Sequence, residues 1–173
     1  IKLGSNLIRL DSEEIANRIQ TKLPYIEKVE LEKKLPTTAV IKVTEASVAG
    51  YIKTSEGYSI ISTKGKVLEK TKKKPEKMAE ILGIDANGVK VAAHVSDKNG
   101  ALSSARAIFE NLGIGMSSGV TQMNVGDRIN LEFVYRDRIT VRLGSETDLK
   151  EKIKFVLKIL NNPQEVDEDD MGI

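Results

Sequence analysis

The sequence from residue 23 to residue 45 is LPYIEKVELEKKLPTTAVIKVTE. It contains two segments rich in β-forming residues, 26–35 and 38–45. In the second segment Ala39, Ile41 and Val43 share one face, because successive side chains of a strand point to opposite sides. Pro36 interrupts the run and favours a turn between the two segments. The stretch therefore predicts a β-hairpin.

A short helix is predicted just before this hairpin. The Asp11 carboxylate can accept hydrogen bonds from the free amides at the helix start, and Glu14 follows three residues later, where a capping box has an acidic side chain. The apolar positions that follow recur every four residues and are Ile15, Ile19 and Leu23. They form one stripe on a helix. Pro24 ends the helix, since proline cannot continue it.

Further short strands and two longer helices are predicted after the hairpin. The strands are 48–53, 58–62, 66–69, 120–125, 128–135 and 138–143, with a short element around 78–82. The last three strands alternate apolar with polar residues and indicate an antiparallel meander. The helices are 102–112, ended by Gly113, and 148–161, whose core face is Leu149, Ile153, Val156, Leu157 and Leu160. The predicted fold class is α+β.

The composition is that of a folded globular protein. Hydrophobic residues make up 40% and charged residues 30% of the 173 residues, enough apolar material for one medium domain or two small ones. The chain has no cysteine, which excludes disulfides and thiolate metal sites. A net charge of +2 is too small to indicate a nucleic-acid partner. No apolar run approaches the ~18–20 residues of a membrane-spanning helix.

The sequence lacks the residue sets that catalysis and cofactor binding require. Nucleophilic catalysis needs a hydroxyl or thiol beside a base, whereas the chain has one histidine and no cysteine. His94 lies in an apolar stretch, and we expect it to be a partly buried structural residue. Gly113, Gly115 and Gly119 follow a helix and precede a strand, the reverse of the order in a dinucleotide-binding loop. We therefore expect no enzyme activity, no cofactor and no metal ion.

Charged residues gather in two places. The first cluster contains Lys64, Lys66, Lys70, Lys72, Lys73, Lys74 and Lys77. It has no interleaved aromatic residue, so a nucleic-acid groove is not indicated; a solvated loop is favoured, with attraction to anionic lipid or wall polymer as the alternative. The second cluster, residues 165–170, lacks the central glycine and terminal glutamate of a calcium-binding EF-hand loop. It is interpreted as a solvated acidic loop or as a polar rim for a basic partner.

Several stretches together resemble one protein family. They are Gly4-Ser5-Asn6-Leu7-Ile8-Arg9-Leu10-Asp11, Leu23-Pro24-Tyr25-Ile26, Leu35-Pro36-Thr37-Thr38 and Ile41-Lys42-Val43-Thr44-Glu45. With the short helix, these stretches resemble the second half of the POTRA domain of FtsQ/DivIB cell-division proteins. The hairpin of residues 60–67 and the strand–helix junction of residues 139–144 resemble the β domain of that family. The resemblance implies a partial POTRA domain over 1–45, without its first strand and helix, and a β domain over 46–173 that is truncated in or before its last strand.

The resemblance implies a binding protein that acts outside the cytoplasm. The family consists of single-pass membrane proteins of the division septum, so the anchor is expected outside this sequence. They bridge membrane-anchored partners of the FtsB/DivIC and FtsL types, and a septal peptidoglycan synthase is a further candidate partner. The partner surface of the family lies on the last helix and the strand after it. Here it maps to Lys150, Lys154, Lys158, Met171, Gly172 and Ile173.

The alternative function is a POTRA-bearing chaperone module of an outer-membrane assembly or secretion protein, which would handle extended substrates by strand addition. Tandem POTRA repeats would favour it, and the sequence has none. In either case a lone two-stranded hairpin is marginally stable. We therefore expect the β domain to stabilise the N-terminal remnant, or a neighbouring chain to cover its free edge.

Overall fold

The computed structural model describes residues 9–97 and 99–162. It begins with a helix and a hairpin, here called the N-terminal unit: α1 (Ser12–Lys22), β1 (Ile26–Lys34) and β2 (Thr38–Glu45). The predicted cap is confirmed, because Oδ1 of Asp11 accepts from the backbone amides of Glu13 at 2.9 Å and Glu14 at 3.1 Å. The strands pair antiparallel, with Val29 opposite Val43. The helix and hairpin predicted from residues 11–45 are therefore both present.

The rest of the described chain forms a single seven-stranded sheet with two helices, here called the main unit. Its elements are β3 (Val48–Thr54), β4 (Gly57–Ser62), β5 (Val67–Thr71), β6 (Glu80–Leu82), α2 (Ala101–Ser117), β7 (Val120–Asn124), β8 (Leu131–Tyr135), β9 (Ile139–Gly144) and α3 (Leu149–Leu160). The strand order is β5-β4-β3-β6-β7-β8-β9. Pairing is antiparallel within β3–β5 and within β7–β9. This confirms the α+β class and the predicted meander.

Strand β6 joins the two antiparallel halves of the sheet. It has only three residues and pairs parallel with β3 on one side and with β7 on the other. The contact with β3 depends on Gly50, since a Cβ at that position would lie 2.3 Å from the carbonyl oxygen of Ala79. Periodicity cannot reveal a strand this short, so the joining of the two halves was not predicted from the sequence.

The main core lies between one face of the sheet and the two helices. Its fully buried members include Ile61, Ile81, Ile108, Met123, Leu131, Phe133 and Ile153. A smaller cluster of Tyr51, Ile60 and Leu68 packs separately. The helix predicted to end at Gly113 is interrupted there, because the ψ of 170° at Gly113 is not helical. Gly113 has the expected positive φ of 72°, but helical backbone resumes after it and continues to Ser117.

Two predictions about individual side chains are wrong. His94 is exposed, because its backbone forms an isolated bridge with Lys66 at the margin of the sheet and its side chain does not enter the core. Lys66 was assigned to a solvated loop, yet only 3% of the residue is exposed. Its ammonium group instead bonds to backbone carbonyls of the N-terminal unit.

The helices of the described chain are too short or too polar to cross a membrane.

Candidate partner-binding surface

Helix α3 presents one apolar face to the protein and one charged face to solvent. Leu149 and Ile153 are buried against β9 and α2. The three lysines predicted as partner-binding residues, Lys150, Lys154 and Lys158, are all exposed on the opposite face. Their four-residue spacing places them along one side of the helix. The structure thus places these three residues side by side. We call Lys150, Lys154 and Lys158 the basic ridge.

An aromatic side chain interrupts the solvent face of α3. Phe155 is 64% exposed, although it is the largest apolar residue of the helix. It follows Lys154 directly and precedes Lys158 by three positions, so it adjoins the basic ridge. Aromatic side chains, Phe among them, are enriched in protein interfaces relative to the rest of the protein surface. Sequence reasoning missed Phe155, although its position outside the core stripe was the available signal.

The charges on α3 are only partly compensated within the described chain. Lys154 Nζ lies 3.8 Å from Glu151 Oε2, and both side chains are largely exposed. Lys152 turns toward the protein and donates to the Ser145 carbonyl at 2.9 Å. Lys150 and Lys158 form no ion pair with any residue in 9–97 or 99–162. As far as the described residues are concerned, the solvent face of α3 has a net positive charge that an acidic surface would complement.

A charged network fixes the start of α3. The Glu146 carboxylate accepts from the Ser104 hydroxyl and from Arg128, whose Nε lies 2.9 Å from Oε2. Ser104 belongs to α2 and is fully buried. The hydrogen bond from Arg128, followed by that from Ser104, lowers the pKa of Glu146. This carboxylate ties α2 and the β7–β8 connection to the turn that leads into α3.

The sheet edge beside α3 is open within the described chain. Strand β9 packs under α3 and pairs with β8 on one side only, as far as residues 9–97 and 99–162 are concerned. Such an edge has backbone amides and carbonyls that another strand can pair with. The predicted residues Met171, Gly172 and Ile173 lie outside the described residues. Their relation to this edge stays a prediction.

The lysine cluster of residues 64–77 does not form one surface. Apart from the buried Lys66, Lys64 lies in the turn before β5, Lys70 lies in β5, and the other members follow β5. Lys74 lies with Nζ 6.0 Å from the ring centroid of Tyr51, and a hydrogen bond with the Tyr51 hydroxyl raises the pKa of Lys74. Lys73, Lys74 and Lys77 line a cleft of about 880 Å³ whose walls also include Glu76 and Asp137. The lining thus has both basic and acidic side chains, so the cleft does not select strongly for one sign of charge.

Comparison with known proteins identifies the family. A family model described as "Cell division protein FtsQ/DivIB, C-terminal" matches residues 50–171. The chain belongs to the FtsQ/DivIB family. A second model, described as "POTRA domain, FtsQ-type", matches residues 1–46 and includes the N-terminal unit. Both parts of the resemblance identified in the sequence are thereby confirmed.

Individual FtsQ/DivIB relatives are distant in sequence. "Cell division protein DivIB" of Clostridium botulinum (strain Hall) is 27% identical over 170 residues, which is 95% of this chain and 64% of that protein. "Cell division protein DivIB" of Clostridium tetani is 24% identical over 165 residues, 94% of this chain and 62% of that protein. "Cell division protein FtsQ" of Corynebacterium glutamicum is 35% identical over 63 residues, 36% of this chain and 28% of that protein. The chain thus spans less than two thirds of the length of these DivIB relatives.

Proposed function

We propose that this chain is part of an extracytoplasmic scaffold of the division septum that binds and bridges membrane-anchored division proteins of the FtsB/DivIC and FtsL types. Membership of the FtsQ/DivIB family supports the role in cell division. The partners, the single-pass anchor outside this sequence and the extracytoplasmic location belong to the proposal. So does the division into a partial POTRA domain over 1–45 and a β domain over 46–173. No catalytic step is assigned to the chain.

The observation that carries this proposal is the solvent face of α3. It combines the basic ridge of Lys150, Lys154 and Lys158 with the exposed Phe155, next to the open edge of β9. A partner segment could insert apolar side chains around Phe155, place acidic side chains against the lysines and pair its backbone with the sheet. The apolar contacts would supply affinity, and the charge pairs would raise the association rate. Backbone pairing would set the register of the partner segment.

The ridge and the aromatic side chain have different expected roles. Exposed lysines gain little free energy from an ion pair, about 0.5–1 kcal/mol each, but they accelerate association with an acidic partner. Phe155 can lose most of its exposed apolar area on binding and is expected to contribute more to affinity. Replacing a lysine should therefore change the salt dependence of binding, whereas replacing Phe155 should change the dissociation rate.

The test is a titration of the extracytoplasmic segments of DivIC-type and FtsL-type proteins into this chain by calorimetry. Phe155→Ser should weaken binding about tenfold. Lys154→Glu should weaken it at low salt and have less effect at high salt, because added ions screen the lysine. Lys90→Glu reverses an exposed charge away from α3 and is the matched control. If Phe155→Ser and Lys154→Glu bind as tightly as Lys90→Glu, the site is not on α3.

A further inference from the structure

A lysine of the main unit reaches into the N-terminal unit. Lys66 lies between β4 and β5, and only 3% of the residue is exposed. Its Nζ donates to the carbonyl oxygen of Ile26 at 2.8 Å and has a longer contact of 3.4 Å with the carbonyl oxygen of Gln20. Gln20 belongs to the last turn of α1, and Ile26 is the first residue of β1. One side chain therefore contacts both elements at the point where α1 gives way to β1.

The Gln20 carbonyl needs a donor from outside its helix. In an α-helix it would accept from the amide four residues later, but that residue is Pro24, which has no N–H group. The contact of this carbonyl with Lys66 is half-buried, and a backbone carbonyl that is shielded from water without a partner is unfavourable. Lys66 supplies the donor that Pro24 lacks. The end of α1 thus lacks a donor, and a lysine of the main unit provides one. This contact joins the two units.

Glu27 provides the opposite charge at this boundary. Its side chain is only 12% exposed, and Oε1 lies 3.6 Å from Nζ of Lys64. Its other oxygen, Oε2, is buried and accepts no hydrogen bond within the described chain. Burial lowers the pKa of Lys66, and the negative charge of Glu27 acts in the opposite direction. The carboxylate thereby favours the charged form of Lys66 in a place where an isolated ammonium would be unfavourable.

Within the described residues, a short covalent connection and a side-chain hydrogen bond also join the units. Only Ala46 and Ser47 separate β2 from β3, and the Ala46 amide donates to the Tyr25 carbonyl at 2.8 Å. The Tyr25 hydroxyl bonds to Oε2 of Glu69 in β5 at 3.0 Å. No apolar core cluster of the described residues includes side chains from both β1 or β2 and the main sheet. The boundary is therefore held chiefly by polar contacts, and interfaces of this kind permit relative motion by default.

We propose that Lys66 is the positioning residue of a polar latch, formed with Glu27 and the Gln20 and Ile26 carbonyls, that fixes the N-terminal unit in one orientation on the main unit. The short connection at Ala46 acts as the covalent pivot, and the Tyr25–Glu69 bond is an outer, exposed contact. Without the Lys66 side chain, the pivot and the outer contact allow rotation between them. This latch concerns the geometry within the chain and does not depend on which partners it binds.

Distance measurements between spin labels on the two units test the latch. The chain has no cysteine, so Glu13→Cys in α1 and Glu110→Cys in α2, both exposed, give a single labelled pair. The parent should give one narrow distance distribution. Lys66→Met keeps the length and burial of the side chain but removes its donor, and it should broaden the distribution about twofold because a small polar interface then allows motion. Lys64→Met, an exposed neighbour on the same carboxylate, is the matched control and should leave the distribution narrow.

A second variant covers the case in which Lys66→Met does not fold. Glu27→Gln keeps the shape of the side chain and removes the charge that offsets the burial of Lys66, so it should broaden the same distribution. Thermal unfolding of each variant establishes that the main unit is intact. A distribution as narrow as the parent's in a folded Lys66→Met protein, or in Glu27→Gln if only that variant folds, would overturn the proposal. A broadening of equal size in Lys64→Met would also contradict it, because the effect would then not belong to the buried lysine.

Discussion

Gly119 lies so close to the ring of Tyr135 that a Cβ atom on the glycine would be 2.2 Å from Cε2 of the ring. Tyr135 is buried, with its hydroxyl 3.6 Å from Sδ of Met116. The Arg136 amide also donates to the Gly119 carbonyl at 2.7 Å. The ring therefore cannot move away without disturbing the connection between α2 and β7. This contact makes position 119 one at which any side chain is disfavoured.

We predict that Gly119→Ala lowers the free energy of unfolding by about 1–3 kcal/mol, the usual range for forcing an extra carbon into a packed site. Gly115→Ala is the matched control, because a Cβ at position 115 meets no atom within 4 Å. In helical backbone that change should stabilise by about 0.5–1 kcal/mol. Urea unfolding of both variants measures the difference. Equal stabilities would mean that the Tyr135 ring yields easily.

A second glycine substitution tests the junction of the two half-sheets. A Cβ at position 50 would lie 2.3 Å from the Ala79 carbonyl oxygen, which accepts from the Tyr51 amide at 2.9 Å. Backbone atoms give way less readily than a side chain, so Gly50→Ala should destabilise by about 2–4 kcal/mol. Hydrogen exchange should rise at the amides of β6 and at their neighbours in β3 and β7. Faster exchange confined to the N-terminal unit would contradict this explanation.

The Glu146 network predicts a dependence of stability on pH. Because Arg128 lowers the pKa of the Glu146 carboxyl in the folded protein, its contribution is present above the unfolded-state pKa of about 4.3. That contribution is lost as the pH falls toward and through the lower, folded-state pKa. Glu146→Gln should therefore destabilise the protein at pH 7, by about 1 kcal/mol for a partly exposed pair, and progressively less at lower pH. Urea unfolding from pH 7 to pH 3 measures this difference.

Glu110→Gln is the control for this series. Glu110 pairs with Arg106 at 2.8 Å across one turn of α2, and both side chains are more than half exposed. Its substitution should have a small effect throughout the pH range. If the destabilisation by Glu146→Gln is as large in acid as at pH 7, then the stabilising effect of Glu146 on its contacts with Ser104 and Arg128 does not depend on its negative charge.

Two residues of α3 should differ sharply in their effect on stability. Ile153 is fully buried, so Ile153→Ala should lower the free energy of unfolding by about 2–4 kcal/mol. Phe155 is largely exposed, so Phe155→Ser should change it by less than about 0.5 kcal/mol. Thermal or urea unfolding distinguishes the two. Strong destabilisation by Phe155→Ser would mean that this ring packs within the protein and is not available to a partner.

Most elements of the fold could be predicted from patterns of residues that are close in sequence. The Asp11 cap, the turn at Pro36 and the alternation along β7, β8 and β9 each depend on residues close in sequence, and all three features are present. Strand β6 depends instead on two distant partners and has three residues. Its place between β3 and β7 is decided by tertiary packing, which no local pattern encodes.

The candidate surface was also predictable only where it depends on residues close in sequence. Helical spacing placed Lys150, Lys154 and Lys158 on the solvent face, because the opposite stripe had to be buried. The identity of the lysine that would be buried was not predictable, since Lys66 depends on the helix end at Pro24 in another unit. His94 is exposed despite apolar neighbours, because the chain there is irregular and crosses the sheet margin. Residues 171–173 lie outside the described residues, so their role in partner binding stays a prediction.

The three-residue strand β6 also bears on the order in which the main unit assembles. Strands β3–β5 and β7–β9 each pair with neighbours in sequence, so each half can form from short-range contacts that close quickly. Strand β6 pairs Glu80 with Tyr51 on one side and with Gln122 on the other, and both pairings close long loops. The two meanders should therefore form early and independently, and insertion of β6 between them should limit the folding rate. Until that step the inner edges of both β3 and β7 are unpaired, so newly made chains are most prone to associate with one another in this interval.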